Sequence, residues 1–213
     1  MKSFRYFYIL AVISSLAFFS CSDSETDVVT VTASTIFDYS DNENPPSARL
    51  AVFFQVTNEV QRTDSFVVSN EKSGYSWNVK NPGIFTGLNK NYTYSLNLSA
   101  PEGESIPVGS YSAVYYDAAG NEDSINFDVN YSLELLKSNA LKCKDFLGKY
   151  NENIAVYDDS GELLFMGKAK ASWKSNESIL KDYKTAFSKR ICYVTSGNSI
   201  ICMMPEEKLL TDR

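Results

Sequence analysis

The sequence predicts a mainly β chain: a sandwich of about seven short strands over residues 28–131, followed by a small α+β module over 132–213. Two observations carry the first part. Short apolar or alternating runs are separated by Asn-, Asp-, Ser- and Gly-containing turns. The composition, with 14 Tyr and 13 Phe, suits pleated strands better than helices. A third observation sets the division. After residue 131 lysines are spaced between leucines, and the strand-turn rhythm gives way.

In chain order, residues 28–37 form the first expected strand. Residues 38–47 hold Asp, Asn and two prolines and read as a loop. Residues 50–56 are the most apolar run, expected at the centre of a sheet. Residues 65–69 and 75–79 flank a turn at 70–74, and Tyr75, Trp77 and Val79 share one face. Tyr92, Tyr94, Leu96 and Leu98 alternate with Thr93, Ser95 and Asn97, so one buried aromatic face is expected there. Residues 111–116 and 124–131 close the series around Ala118-Ala119-Gly120, which suits a type I turn ended by a left-handed glycine.

Ile106-Pro107-Val108-Gly109-Ser110-Tyr111, with the hairpin through Asp117-Ala118-Ala119-Gly120-Asn121, resembles the closing hairpin of bacterial immunoglobulin-like and fibronectin type III-like domains. The resemblance implies an immunoglobulin-like sandwich in which Tyr111 belongs to the core near a sheet corner. It implies nothing about ligand, because such sandwiches host unrelated functions.

For the C-terminal module, the leucines and Ala140 suggest a helix over 133–150. A hairpin is expected over Asp159-Ser160-Gly161. Ser175 is placed to cap a helix running to about Ser188, with Ile179, Leu180, Tyr183 and Phe187 on one face. A last hairpin spans 190–204 over Ser196-Gly197-Asn198.

The N-terminus reads as an export signal. Lys2 and Arg5 precede an uncharged, mostly apolar run over 6–19, and small Ser20 stands before Cys21. That run is shorter than the roughly 20 residues of a membrane-spanning helix. The segment resembles a bacterial lipoprotein signal. The resemblance implies cleavage before Cys21 and acylation of that cysteine, with residues 1–20 lost. Phe18 occupies the place where the family usually has leucine. Each buried methylene contributes about 0.8 kcal/mol, so two or three chains hold a protein on a membrane. Residues 21–27 are polar and acidic, the composition of a tether. They also resemble the acidic surface-export signal of Bacteroidota lipoproteins, which implies the outer membrane and its external face.

Charge and composition exclude several classes. Of the 20 Lys+Arg, Lys2 and Arg5 leave with the signal; the remaining 18 face 26 Asp+Glu, a net charge of −8. Phosphate backbones would be repelled, so nucleic acid is not an expected partner. The chain has no histidine. The commonest general base and zinc ligand are therefore missing. No Gly-x-Ser-x-Gly elbow and no phosphate-binding glycine loop is present, so no cofactor and no catalytic residue is expected.

Three cysteines remain besides Cys21. With a three-residue loop at 196–198, Cys192 faces Cys202 on a non-hydrogen-bonded pair, where Cα atoms approach to about 4.5 Å. That lies within disulfide range, and an exported chain meets an oxidising compartment. A Cys192–Cys202 bridge is thus predicted, with Cys143 buried; the rival joins Cys143 to one of the two. Without a CxxC or a fourth ligand, a zinc site is not expected. Asp38, Asp41 and Glu43, with Asn42 and Asn44, place oxygen ligands in one loop, as do Asp117, Asn121, Glu122 and Asp123. Lacking the spacing of a calcium loop, both read as solvated polar loops, and no metal is expected.

The expectation for function is a lipid-anchored, non-enzymatic module that binds a protein or glycan. One alternative is a structural or assembly component of the envelope. Another is a histidine-free hydrolase using paired carboxylates about 5–10 Å apart.

Overall fold

Pairing between strands divides the described residues into two sheets. The computed structural model describes residues 27–57, 60–87 and 90–209. Cys21, the signal segment and most of the tether lie outside them. The strands are β1 (Val28–Asp38), β2 (Ser47–Val56), β3 (Thr63–Asn70), β4 (Tyr75–Val79), β5 (Gly83–Gly87), β6 (Lys90–Ser99), β7 (Gly109–Asp117) and β8 (Glu122–Val129). They continue with β9 (Tyr150–Asp158), β10 (Leu163–Gly167), β11 (Ala186–Thr195), β12 (Ile200–Met203) and β13 (Glu207–Lys208). One α-helix, α1 (Asn176–Asp182), lies between β10 and β11. The fold is mainly β, with curled sheets consistent with a β-sandwich.

The smaller sheet has the order β4-β3-β7-β8, and the larger runs β10-β9-β11-β12-β1-β2-β6-β5, with β13 paired to β11. Leu50, Val52, Phe54 and Val56 of β2 face Phe66 and Val68 of β3 and Tyr111, Ala113 and Tyr115 of β7. Phe54 sits at the middle of this contact, its ring 4.6 Å from Phe66 and 6.4 Å from Tyr115. Tyr111 is buried, and its hydroxyl donates to the Pro107 carbonyl at 2.6 Å. This satisfies the one polar atom that the ring carries into the core.

The larger sheet crosses residue 131. β1 pairs antiparallel with β2 on one side and parallel with β12 on the other, Phe37 opposite Cys202. Strands from the C-terminal third therefore continue the sheet begun near the N-terminus. Ser34, Thr35, Ile36 and Phe37 are all buried, so this part of β1 is covered on both faces. At the seam, Asp38 accepts from Arg49 of β2 at 2.8 Å and from Arg190 of β11 at 2.6 Å. Arg190 also donates to the backbone oxygens of Tyr39, Met203 and Met204.

Three sequence expectations are corrected. No α-helix forms over 133–150; the chain makes two short 3-10 turns, Leu133–Leu136 and Cys143–Phe146. Ser138, a weak helix former, turns its hydroxyl back to the Leu135 carbonyl and to Tyr39. Leu135, Ala140, Cys143 and Leu147 are thereby laid against Phe37, Tyr193 and Cys202, a second layer over this part of the sheet. The second expected helix stops at Asp182, because residues 186–195 gain strand partners on both sides, which outweighs local helix preference. An additional strand, β5, was not expected. It is five residues long with glycine at both ends, so no alternation marks it.

The fourth difference concerns β6. Its register puts Thr93 opposite Phe54 and Ser95 opposite Val52, both core positions, while Tyr92 and Tyr94 pair with Gln55 and Phe53 on the other face. A shift between Leu50/Leu98 and Val52/Ser95 then returns Leu98 to the core. Strict alternation cannot anticipate such a bulge. One consequence is a polar atom in the wrong place: Thr93 Oγ1 is buried with no hydrogen-bond partner among the described residues. Thr93→Val keeps the branched shape and removes the orphaned hydroxyl. It should raise stability by about 1 kcal/mol, read as a higher urea midpoint at unchanged m-value.

Candidate functional site: an aromatic sheet face

Inversion of β6 brings four aromatic side chains onto the outer face of the larger sheet. Two rows cross the strands. Thr32, Phe53, Tyr94 and Gly83 form one; Thr30, Gln55, Tyr92 and Phe85 form the next. Phe53 and Tyr94 stack with centroids 5.3 Å apart at 24°. Phe85 and Tyr92 lie 6.4 Å apart at 34°. None of the four rings is fully buried, and Phe85 is 54% exposed.

Glycine makes room for the rings. A Cβ on Gly83 would lie 2.5 Å from Tyr94 Cζ, so the Tyr94 ring occupies the space a side chain would take. Phe85 covers Gly87 in the same way, at 2.8 Å. Tyr94 and Phe85 thus lean over the glycines of β5. Around them stand hydroxyl and amide groups from Thr30, Thr32 and Gln55, and none of the eight residues in the two rows is charged. Chemically these two rows are an uncharged group of aromatic rings with hydrogen-bonding groups alongside. Sequence reasoning placed Tyr92 and Tyr94 on a buried face and preferred a core reading of the tyrosine-rich strands to an aromatic sugar-binding face. Phe85 between two glycines, close to the Tyr92 and Tyr94 repeat, was the available signal.

The loop carboxylates serve the backbone. Asp41 Oδ1 accepts from the amides of Glu43 and Asn44 at 2.8 and 2.7 Å. These bonds, with the Asn44 side chain first among them, hold its carboxyl down to about 2. Asp117 is buried and closes the β7–β8 turn, accepting from the amides of Ala119 and Asn121 and from the Asn121 side chain. Asp123 Oδ2 accepts from the Val28 amide at 2.8 Å, joining the two layers.

Cys192 and Cys202 are placed apart. The observed register pairs Cys192 with Met203 and Tyr193 with Cys202. Residues on adjacent positions point to opposite faces, so Cys192 packs with Ala155 and Val194 while Cys202 packs with Phe37 and Cys143. The predicted opposition of Cys192 and Cys202 is thus off by one residue. The loop holds four residues, because Gly197 and Asn198 both take positive φ and Thr195 Oγ1 accepts from the Ile200 amide at 3.0 Å. Burial pushes the Cys192 thiol up to about 11. Among the described residues no helix is long and apolar enough to cross a membrane. No family model, curated protein or solved structure matches the chain.

Proposed function

We propose that this chain is a lipid-anchored, non-enzymatic binding module of the outer membrane, held by acylated Cys21, whose outer aromatic face takes a neutral glycan at the cell surface. The observation that carries the binding reading is the group of four rings, the stacked Phe53–Tyr94 pair and the tilted Phe85–Tyr92 pair, with Tyr94 over Gly83 and Phe85 over Gly87. Sugars present a C–H face that packs on such rings and hydroxyls that bond to flanking Thr and Gln groups. The absence of charge on the two rows suits a neutral saccharide over an anionic one.

The strand order supports an immunoglobulin-like frame for this face. β1-β2-β6-β5 against β4-β3-β7-β8 corresponds to the A-B-E-D and C′-C-F-G sheets of such domains, and the Tyr111 hydroxyl bond to Pro107 has the form of a tyrosine corner. Residues 132–209 act as an added module on the free edge of the first strand, leaving the ring face open.

The test uses full-length protein recovered from membranes in detergent and applied to an array of neutral and acidic polysaccharides. Retention on a neutral saccharide is expected, with affinity reduced at least about tenfold in Tyr94→Ala and in Phe85→Ala. Uniform lack of retention, or retention unchanged in both variants, sinks the glycan reading. Fatty-acid labelling that survives Cys21→Ser would sink the anchor.

A further inference from the structure

Cys143 and Cys202 come together from two layers. Cys202 stands on β12, on the sheet face it shares with Phe37 and Tyr193. Cys143 opens the second 3-10 turn of the segment laid over that face. Both side chains are fully buried and both neighbour Tyr39. Both are free thiols in one buried cluster, where Cys143 Sγ donates to the Ala140 carbonyl at 3.3 Å; the influence of each on the other lowers the Cys143 thiol and raises that of Cys202. Cys192 lies on the opposite face and cannot compete.

We propose that Cys143 and Cys202 are joined by a disulfide in the exported protein, which staples the segment over residues 132–149 to β12. The oxidant is an external disulfide of a thiol–disulfide exchange partner. One cysteine thiolate attacks it, forming a mixed disulfide and releasing one thiol. The second cysteine gives up its proton and attacks the first cysteine's sulfur, forming the S–S bond and releasing the other thiol. Two electrons pass to the oxidant, which ends as two thiols. Both sulfurs are shielded once the segment docks, so the exchange precedes docking. The bond closes a loop of about 60 residues, long enough for a cross-link to restrict the unfolded chain strongly.

The pairing follows from the packing, while its presence in cells rests on the export reading; two arms separate them. In the first, full-length protein isolated from membranes is denatured with N-ethylmaleimide and digested without reductant. A cross-linked peptide containing Cys143 and Cys202, with Cys192 alkylated, is expected. In the second, the purified reduced chain is refolded with glutathione disulfide and digested likewise, with the same expected peptide. Reduction of the cross-linked protein should lower Tm by roughly 5–10 °C. That shift should persist in Cys192→Ser and vanish in Cys143→Ala. A cross-link in the refolding arm alone supports the pairing but overturns its formation in the exported protein. No cross-link in either arm, or one that includes Cys192, overturns the pairing.

Discussion

Arg190→Met will destabilise the chain by about 2–3 kcal/mol, measured as a lower urea midpoint. Arg190 is the centre of the seam between the N-terminal and C-terminal strands. Its guanidinium donates to Asp38 and to the carbonyls of Tyr39, Met203 and Met204, and its side chain is 15% exposed. Methionine fills similar space but leaves three carbonyls without this donor and Asp38 with Arg49 alone. The cost falls short of that of a fully buried pair because Asp38 keeps some contact with water. By contrast, Lys170→Met, at the exposed pair with Asp182, should change stability by no more than about 1 kcal/mol.

The same substitution changes the response to acid. Burial by itself raises the Asp38 carboxyl, but hydrogen bonds from Arg190 and Arg49, with their charges, outweigh it and hold the group below its ordinary 3.8. A carboxyl lowered on folding contributes stability that is present above its unfolded value. That stability is lost as pH falls through its folded value. The native chain should therefore lose stability as pH drops below about 4. In Arg190→Met the folded value moves back towards the ordinary one, and this part of the acid loss flattens. An unchanged slope of stability against pH in the variant would remove Asp38 from the account.

Phe54→Ala should cost about 3–5 kcal/mol, the range for emptying a large aromatic site in a core. Phe54 is fully buried and is the ring through which β2 meets both β3 and β7. Rigid strands on both sides limit how far the cavity can collapse, which places the site towards the upper end of the range. Phe85→Ala should cost less than about 1 kcal/mol, since that ring is half in water and packs mainly on Tyr92 and Gly87. The contrast separates scaffold from site. Lost saccharide retention in Phe85→Ala with an unchanged urea midpoint reports the surface and not unfolding.

Much of the sandwich was legible. Short runs between turn signals located β3, β4, β7 and β8, with alternation marking β4, and the apolar run over 50–56 marked a central strand. Tyr111 was legible as a core residue through its resemblance to a known hairpin, and the structure supplies its partner, Pro107. The outer aromatic face was not legible. Which side of β6 turns inward depends on a bulge and on the partner strand, and a one-residue change exchanges every side chain between faces. The same sensitivity moved Cys202 away from Cys192 through a single added loop residue.

What the sequence by itself determined is the mainly β character and most of the strand positions, since these follow from residue type and local period. Only the tertiary structure decided that β12 lies parallel to β1, that residues 132–149 form a covering layer in place of a helix, and that Tyr92 and Tyr94 face outward. Those outcomes depend on contacts between residues more than 30 positions apart. Local propensity spans only about 1 kcal/mol per residue, and the burial gained by pairing distant strands exceeds it.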